Sequence, residues 1–233
     1  MEGGQARRAV LGLVALLELA ELTRLPEILA EKVSISTSWI KSSAANPAPK
    51  LLTVIAGMGV GAVSIDDLDV LCAGGMPILF KDVYAPSTLG TLLREFSFGH
   101  ARRLESVLRQ HLIALVARTQ MLAGIEEQAF VDIDSLVRPV YGHAKQGASY
   151  GHTKIAREQV LRKGLFAAGH HDQHPHLCAG VAGMRLRAGK IGSGKGAGRM
   201  IAQAIATARA AGASGKIRAK RPPDRRATAS HFS

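Results

Sequence analysis

Ala129-Phe130-Val131-Asp132-Ile133-Asp134-Ser135 alternates apolar and acidic residues, the pattern of a strand with one buried face. A period of two puts Asp132 and Asp134 on the same face. Carboxylates held on rigid strand backbone are the hard oxygen ligands that a Mg²⁺ ion activating water or a hydroxyl requires. Surface acids flanking a strand have the same spacing, so spacing alone leaves both readings open. Downstream, Val137 to Lys154 carries Gly142, Gly147 and Gly151 with Tyr141, His143, Tyr150 and His152 interleaved, which predicts a hairpin. Met184 to Arg187 reads as a further strand and Arg199 to Ala211 as an alanine-rich helix. From residue 217 onward Arg218, Lys220, Arg221, Arg225 and Arg226 face a single Asp224 and are broken by Pro222 and Pro223. That composition reads as a basic, disordered tail.

Upstream of the strand the period changes to that of helices. Leu11, Val14, Leu17, Leu22, Leu25 and Leu29 recur at near-helical spacing between Glu18, Glu21, Arg24 and Glu27, and Pro26 is placed to open a second helix. Ser34 to Pro49 reads as a loop, and Leu51 to Met58 as a buried helix. Ser64 is placed to cap a helix with Asp66 and Asp67 in its first turn, a structural use of acids that outweighs a metal site. Ala85 to Glu95 predicts a short helix capped by Ser87 or Thr88. Ser97 begins a longer one, with Leu104, Leu108, Leu112 and Leu115 on one face and Arg102, Arg103, Glu105 and Arg109 on another. Such a charged face is either simply solvated or lies along a phosphate backbone.

Lys and Arg number 30 against 18 Asp and Glu, for a formal net charge of +12 and a pI near 10.2. This is the footprint of a protein that binds polyanions. With 47% hydrophobic residues the chain is globular in character. Cys72 and Cys178 lie far apart with no CxxC pair, so neither a disulfide framework nor a zinc knuckle is suggested and a reducing cytoplasm is expected. The run Ala9 to Leu17 continues into Glu18 and Glu21 without a cleavage site, so neither an export signal nor a membrane span is expected.

The run FVDIDSLVRPVYGHAKQGASYGHTK (Phe130 to Lys154) resembles the segment around the first catalytic aspartate of a group of bacterial insertion-sequence DDE transposases. APSTLGTLLREFSFGHARRLE (Ala85 to Glu105), MRLRAGKIGSGKGAGRMIAQAIATARAAGA (Met184 to Ala213) and SIDDLDVL (Ser64 to Leu71) resemble the same group. The similarity extends in consistent order from near Leu11 to about Ala219. It implies an α+β chain: a helical DNA-binding region over 1–124, an incomplete ribonuclease-H-like α/β domain over 125–216, and the basic tail over 217–233. It implies strand cleavage and transfer by two aspartates and a glutamate that gather two Mg²⁺ or Mn²⁺ ions. Carried over by position, the first aspartate and metal ligand is Asp134, with Asp132 as the fallback. The basic residues assigned to double-stranded DNA are Arg94, Arg102, Arg103, Lys145, Lys154, Lys190 and Lys195. A homodimer and association with the bacterial nucleoid are further implications.

The departures are informative. In the family a strand after the alanine-rich helix carries the second aspartate in a context like Arg-x-Asp-Ser. Here Ile217-Arg218-Ala219-Lys220 runs into Arg221-Pro222-Pro223-Asp224, and prolines oppose a regular central strand. The acid set is expected to be incomplete, as in a truncated copy, and hydrolysis by the chain alone is not expected. His170-His171-Asp172-Gln173-His174-Pro175-His176-Leu177-Cys178 has the ligands of a zinc site. It also has the form of a frameshift product, because codons for GHHDQHPHLCAG, read one base later, can spell ATTISTPTSAP, which suits the family's strand. Gly189 to Gly196 meets most of a phosphate-binding loop, but Gly196 replaces the hydroxyl that would hold Mg²⁺. A nucleotide binder and a non-catalytic basic DNA-binding protein therefore stand as the alternative functions.

Overall fold

The computed structural model describes residues 2–35, 45–73, 76, 83–140, 147–155, 158–173, 180–188 and 196–220, with backbone alone at 2–11, 134–137, 151–155, 158–173 and 220. The chain is mixed helix and strand, as expected. It forms two compact units, Met1–Val107 and Leu108–Ser233.

The first unit is helical. Helices α1 (Glu2–Leu22) and α2 (Leu25–Lys32) are separated by Arg24, whose left-handed backbone (φ 57°) turns the chain. Pro26 sits in the first turn of α2, where its missing N–H costs nothing. Thr23 is buried at this corner, and its hydroxyl donates to the carbonyl of Leu19 at 2.7 Å. Helix α3 (Pro47–Gly59) covers the stretch expected to be a buried helix. Its Lys50 is buried, donates to the Ala45 carbonyl and lies over the Tyr84 ring, and burial lowers its pKa. Ala20, Leu25, Leu29, Val33, Leu51, Leu92 and Val107 share one core.

A 3-10 helix over Asp66–Cys72 follows. Its entrance is a reciprocal capping box. The Asp67 carboxylate accepts from the backbone N–H groups of Ser64 (2.8 Å) and Val63 (3.0 Å), while the Ser64 hydroxyl accepts from the N–H of Asp67 (3.2 Å). These bonds hold the Asp67 carboxyl below its ordinary range, and they support the capping role read from the sequence. Helix α4 (Pro86–Arg94) differs in detail from expectation. Its cap is Ala85, with no side-chain bond, because Pro86 supplies the first turn and the Ala85 carbonyl already takes the N–H groups of Thr88 and Leu89.

Helix α5 (Phe98–Arg118) contains the division between the units. In its later half the His111 ring is partly buried, and Nδ1 has no hydrogen-bond partner among the described residues. Burial lowers the pKa of His111. The unfolded chain therefore takes up the proton first, so stability is retained above about pH 6.5 and is lost as the pH falls from there toward the folded pKa. We expect Tm to fall between pH 7.5 and pH 5.5, and the fall to be smaller in His111→Gln.

The second unit is built on a mixed sheet. Strands β1 (Gln128–Pro139), β2 (Ser149–Ile155), β3 (Glu158–Gln173), β4 (Gly180–Ala188) and β5 (Lys216–Lys220) form it, with helix α6 (Ala197–Ala210) between the last two. The strand read over 129–135 is β1, and the alanine-rich helix is α6. β3 pairs antiparallel with β1, β2 and β4, while β5 runs parallel to β1. Two expectations are corrected here. The partner of β2 is β3 and not β1, because only two residues separate Ile155 from Glu158 and a local hairpin closes there. Residues 217–220, assigned to the tail, belong to β5 because β1 offers them a parallel ladder.

Helix α6 ends in a Schellman motif. Gly212 adopts φ 114°, its N–H donates to Arg209, and that of Ala213 donates to Ala208 at 2.9 Å. Ala129, Val131 and Ile133 of β1 are buried. Val131 packs with Leu112, Ala182 and Ala204, and Ala129 with Ala208, Ala213 and Leu122. The apolar face of β1 is thus turned to α6, which leaves Phe130, Asp132 and Asp134 on the opposite face.

Candidate functional site

The site is fixed by strand register. On β1, Asp132 is opposite His171 of β3 on one side and Lys220 of β5 on the other. Two residues earlier, Phe130 is opposite Gln173 and Arg218; two residues later, Asp134 is opposite Gly169. Directly paired residues share a sheet face, so His171, Asp132 and Lys220 form one cross-strand row, with Arg218 exposed in the row before it. Asp132 is half-buried. Among the described residues Asp132 is paired on both sides of β1, whereas Asp134 lies beyond the β5 ladder and is paired with β3 alone.

The surroundings do not fit a pair of hard divalent ions. Two Mg²⁺ ions need several carboxylates converging from neighbouring elements. Across the ladder from Asp132, β5 supplies a lysine and β3 a histidine, and Asp134 faces a glycine. No group of three or more acidic, histidine or cysteine side chains placed to hold a metal occurs among the residues with described side chains.

The basic residues assigned to DNA fall into four groups. Arg94 is exposed at the end of α4, its guanidinium folded back over Gly90. It lines an open cleft of about 800 Å³ together with Asp66, Asp69, Ser87 and Thr91. Arg102 and Arg103 have intramolecular partners. Arg102 pairs with the buried Glu105 at 2.9 Å, and Arg103 donates to the Ser34 carbonyl and hydroxyl at 2.5 and 2.6 Å. Arg102 thus pairs within α5, whereas Arg103 ties α5 to the segment that follows α2, a role the spacing of the arginines did not reveal. Lys154 lies on β2 opposite Gln159. Lys145, Lys190 and Lys195 lie outside the described residues.

Two of the other sequence candidates are placed in part. His170, His171, Asp172 and Gln173 end β3, and His174 to Cys178 lie outside the described residues. Gly196 adopts φ 76° and opens α6, and residues 189–195 between β4 and Gly196 lie outside the described residues. The preceding strand, β4, is antiparallel to its neighbour β3. Sequence reasoning missed Arg185 and Arg187 on β4. Arg185 donates to Gln203 of α6 at 2.5 Å, and burial together with the charge of Arg185 lowers the pKa of Arg187. Their alternation next to a Gly/Lys run was the available signal. No helix among the described residues is long and apolar enough to cross a membrane. The chain matches no family model, no curated protein and no solved structure.

Proposed function

We propose that the chain is a DNA-binding protein of insertion-sequence transposase descent, with an incomplete ribonuclease-H-like second unit, that does not cut DNA by itself. The observation that carries this reading is the register of Lys220 against Asp132. The strand following the alanine-rich helix returns parallel to the DxD strand, which is where the resemblance calls for the second aspartate. In the Arg218-Ala219-Lys220 context the acid's position is taken by a lysine. A lysine at the register position where the resemblance calls for the second aspartate leaves a two-ion site short of one of the acids it needs. The net charge of +12 supports retention of a polyanion.

The test is nicking of supercoiled plasmid by the purified chain with Mg²⁺ or Mn²⁺. We expect no nicking above that of the Asp134→Asn variant. Nicking that this substitution abolishes would overturn the proposal.

A further inference from the structure

The net charge of +12 is not shared between the two units. Over Met1–Val107, 10 Lys and Arg stand against 11 Asp and Glu, a net charge of −1, whereas over Leu108–Ser233, 20 stand against 7, a net charge of +13. Salt screens exposed charges beyond a Debye length, about 10 Å at 0.1 M, so the unit that carries the excess is the one suited to hold phosphates. We propose that duplex DNA lies on the helical layer of the second unit, along α6 and the arginines of β4, and that the first unit adds no net attraction for it. The inference rests on the DNA-binding reading above and assigns that binding to a surface.

The layer is built from elements without acids. Helix α6 and the part of α5 within this unit, residues 108–118, carry Arg109, Arg118, Arg199 and Arg209 and neither Asp nor Glu. Leu112 of α5 and Ala204 of α6 pack with Val131 of β1, so both helices cover the same face of the sheet. Asp132 and Asp134 take the opposite face. The want of acids extends beyond the helices: from Gln173 to Pro223 there are 10 Lys and Arg and no Asp or Glu.

Register brings two more arginines to the helical side. Arg185 and Arg187 of β4 are opposite Ala168 and Phe166 of β3, which are opposite Ser135 and Val137 of β1, on the face of Val131 and Ile133. Arg185 also donates to Gln203 of α6. Burial, and then the charge of Arg185, lower the pKa of Arg187, and a phosphate beside the two arginines offsets that repulsion. On α6, Arg199 and Arg209 are exposed. They are separated by about 15 Å of helix axis, the length of about four phosphates on one DNA strand. In the first unit, by contrast, Arg102 and Arg103 are taken up by Glu105 and Ser34.

The test is the salt dependence of duplex DNA binding by the full chain and two double variants, with circular dichroism to show that each is folded. Each lost phosphate contact reduces the slope of log affinity against log salt by about 0.9, so for Arg199→Gln with Arg209→Gln we expect a slope smaller by about 1.8 and an affinity about tenfold lower at 0.1 M salt. Arg24→Gln with Lys32→Gln removes the same charge from the first unit, and we expect it to keep the slope of the parent. Because Arg209 also donates to the Ala213 carbonyl, Arg199→Gln and Arg199→Lys carry the test alone if the double variant is unfolded: Gln reduces the slope by about 0.9 and Lys leaves it unchanged. A parental slope in the folded α6 variants, or a loss in the first-unit variant as large as theirs, would overturn the assignment and leave DNA binding itself standing. A parent that retains no DNA at low salt would overturn both.

Discussion

Gly215→Ala is expected to destabilise the second unit by about 3 kcal/mol, at the upper end of the usual cost of overpacking. A Cβ at this position would stand 2.0 Å from the Glu127 carbonyl oxygen and 2.7 Å from that of Glu126. These are backbone atoms and cannot swing aside as a flexible side chain would. The same segment fastens β5 to the start of β1. The N–H of Gly215 donates to Glu126 at 2.7 Å, that of Lys216 to Glu127 at 3.2 Å, and the Ser214 hydroxyl to Glu126 at 2.9 Å. Forcing the strands apart would therefore break the ladder that brings Lys220 to Asp132. Gly198→Ala is the control. It lies in α6 with nothing within 4 Å of an added Cβ, and it is expected to be neutral or stabilising by up to about 1 kcal/mol. Urea denaturation of both variants reads the difference, and equal stability of Gly215→Ala and the parent would contradict the docking of β5.

Leu92→Ala is the second large effect, and it acts on the first unit. Leu92 has no exposed surface and belongs to the core of Leu25, Leu29, Val33, Leu51 and Val107. Truncation removes buried methyl groups and leaves a cavity, at a cost of about 2–5 kcal/mol. Met58→Ala gives the comparison: that side chain is 66% exposed, and its loss should change stability by no more than about 0.5 kcal/mol. The midpoint of denaturation for the Leu92→Ala variant checks the prediction, and a midpoint close to that of Met58→Ala would contradict the assigned core.

What could be read from the sequence was what local period determines. The alternation over Ala129 to Ser135 marks β1, because one of its faces is buried. The alanine-rich run marks α6, because its propensity and packing agree. Ser64 was legible as a cap with Asp66 and Asp67 in the first turn, whereas the bonds that Asp67 takes from Val63 and Ser64 were not. β3 was not legible: Glu158–Gln173 has no sustained alternation and ends in His170-His171-Asp172-Gln173, so its strand character comes from pairing with distant β1 and β4. β5 was hidden for a related reason. Lys216–Lys220 has the composition of a tail and becomes a strand only because Gly215 allows close approach to Glu126 and Glu127. The candidate site was half legible. Asp132 and Asp134 follow from period two, but the cross-strand neighbours His171 and Lys220 follow from register, which a single sequence does not encode locally. The engagement of Arg103 by Ser34 was equally out of reach, since a charged helix face looks the same whether it meets solvent, DNA or another part of the chain, whereas the i,i+3 pair of Arg102 with Glu105 follows from helical spacing.

The central claim is that this basic chain holds duplex DNA through its phosphates without cutting it. Its most direct test is equilibrium binding of duplex DNA to the full chain across a salt series. We predict a linear fall of log affinity with log salt, with a slope of about −0.9 for each phosphate neutralised, and binding that persists without divalent metal. Failure to retain DNA at low salt, or an affinity indifferent to salt, would contradict it.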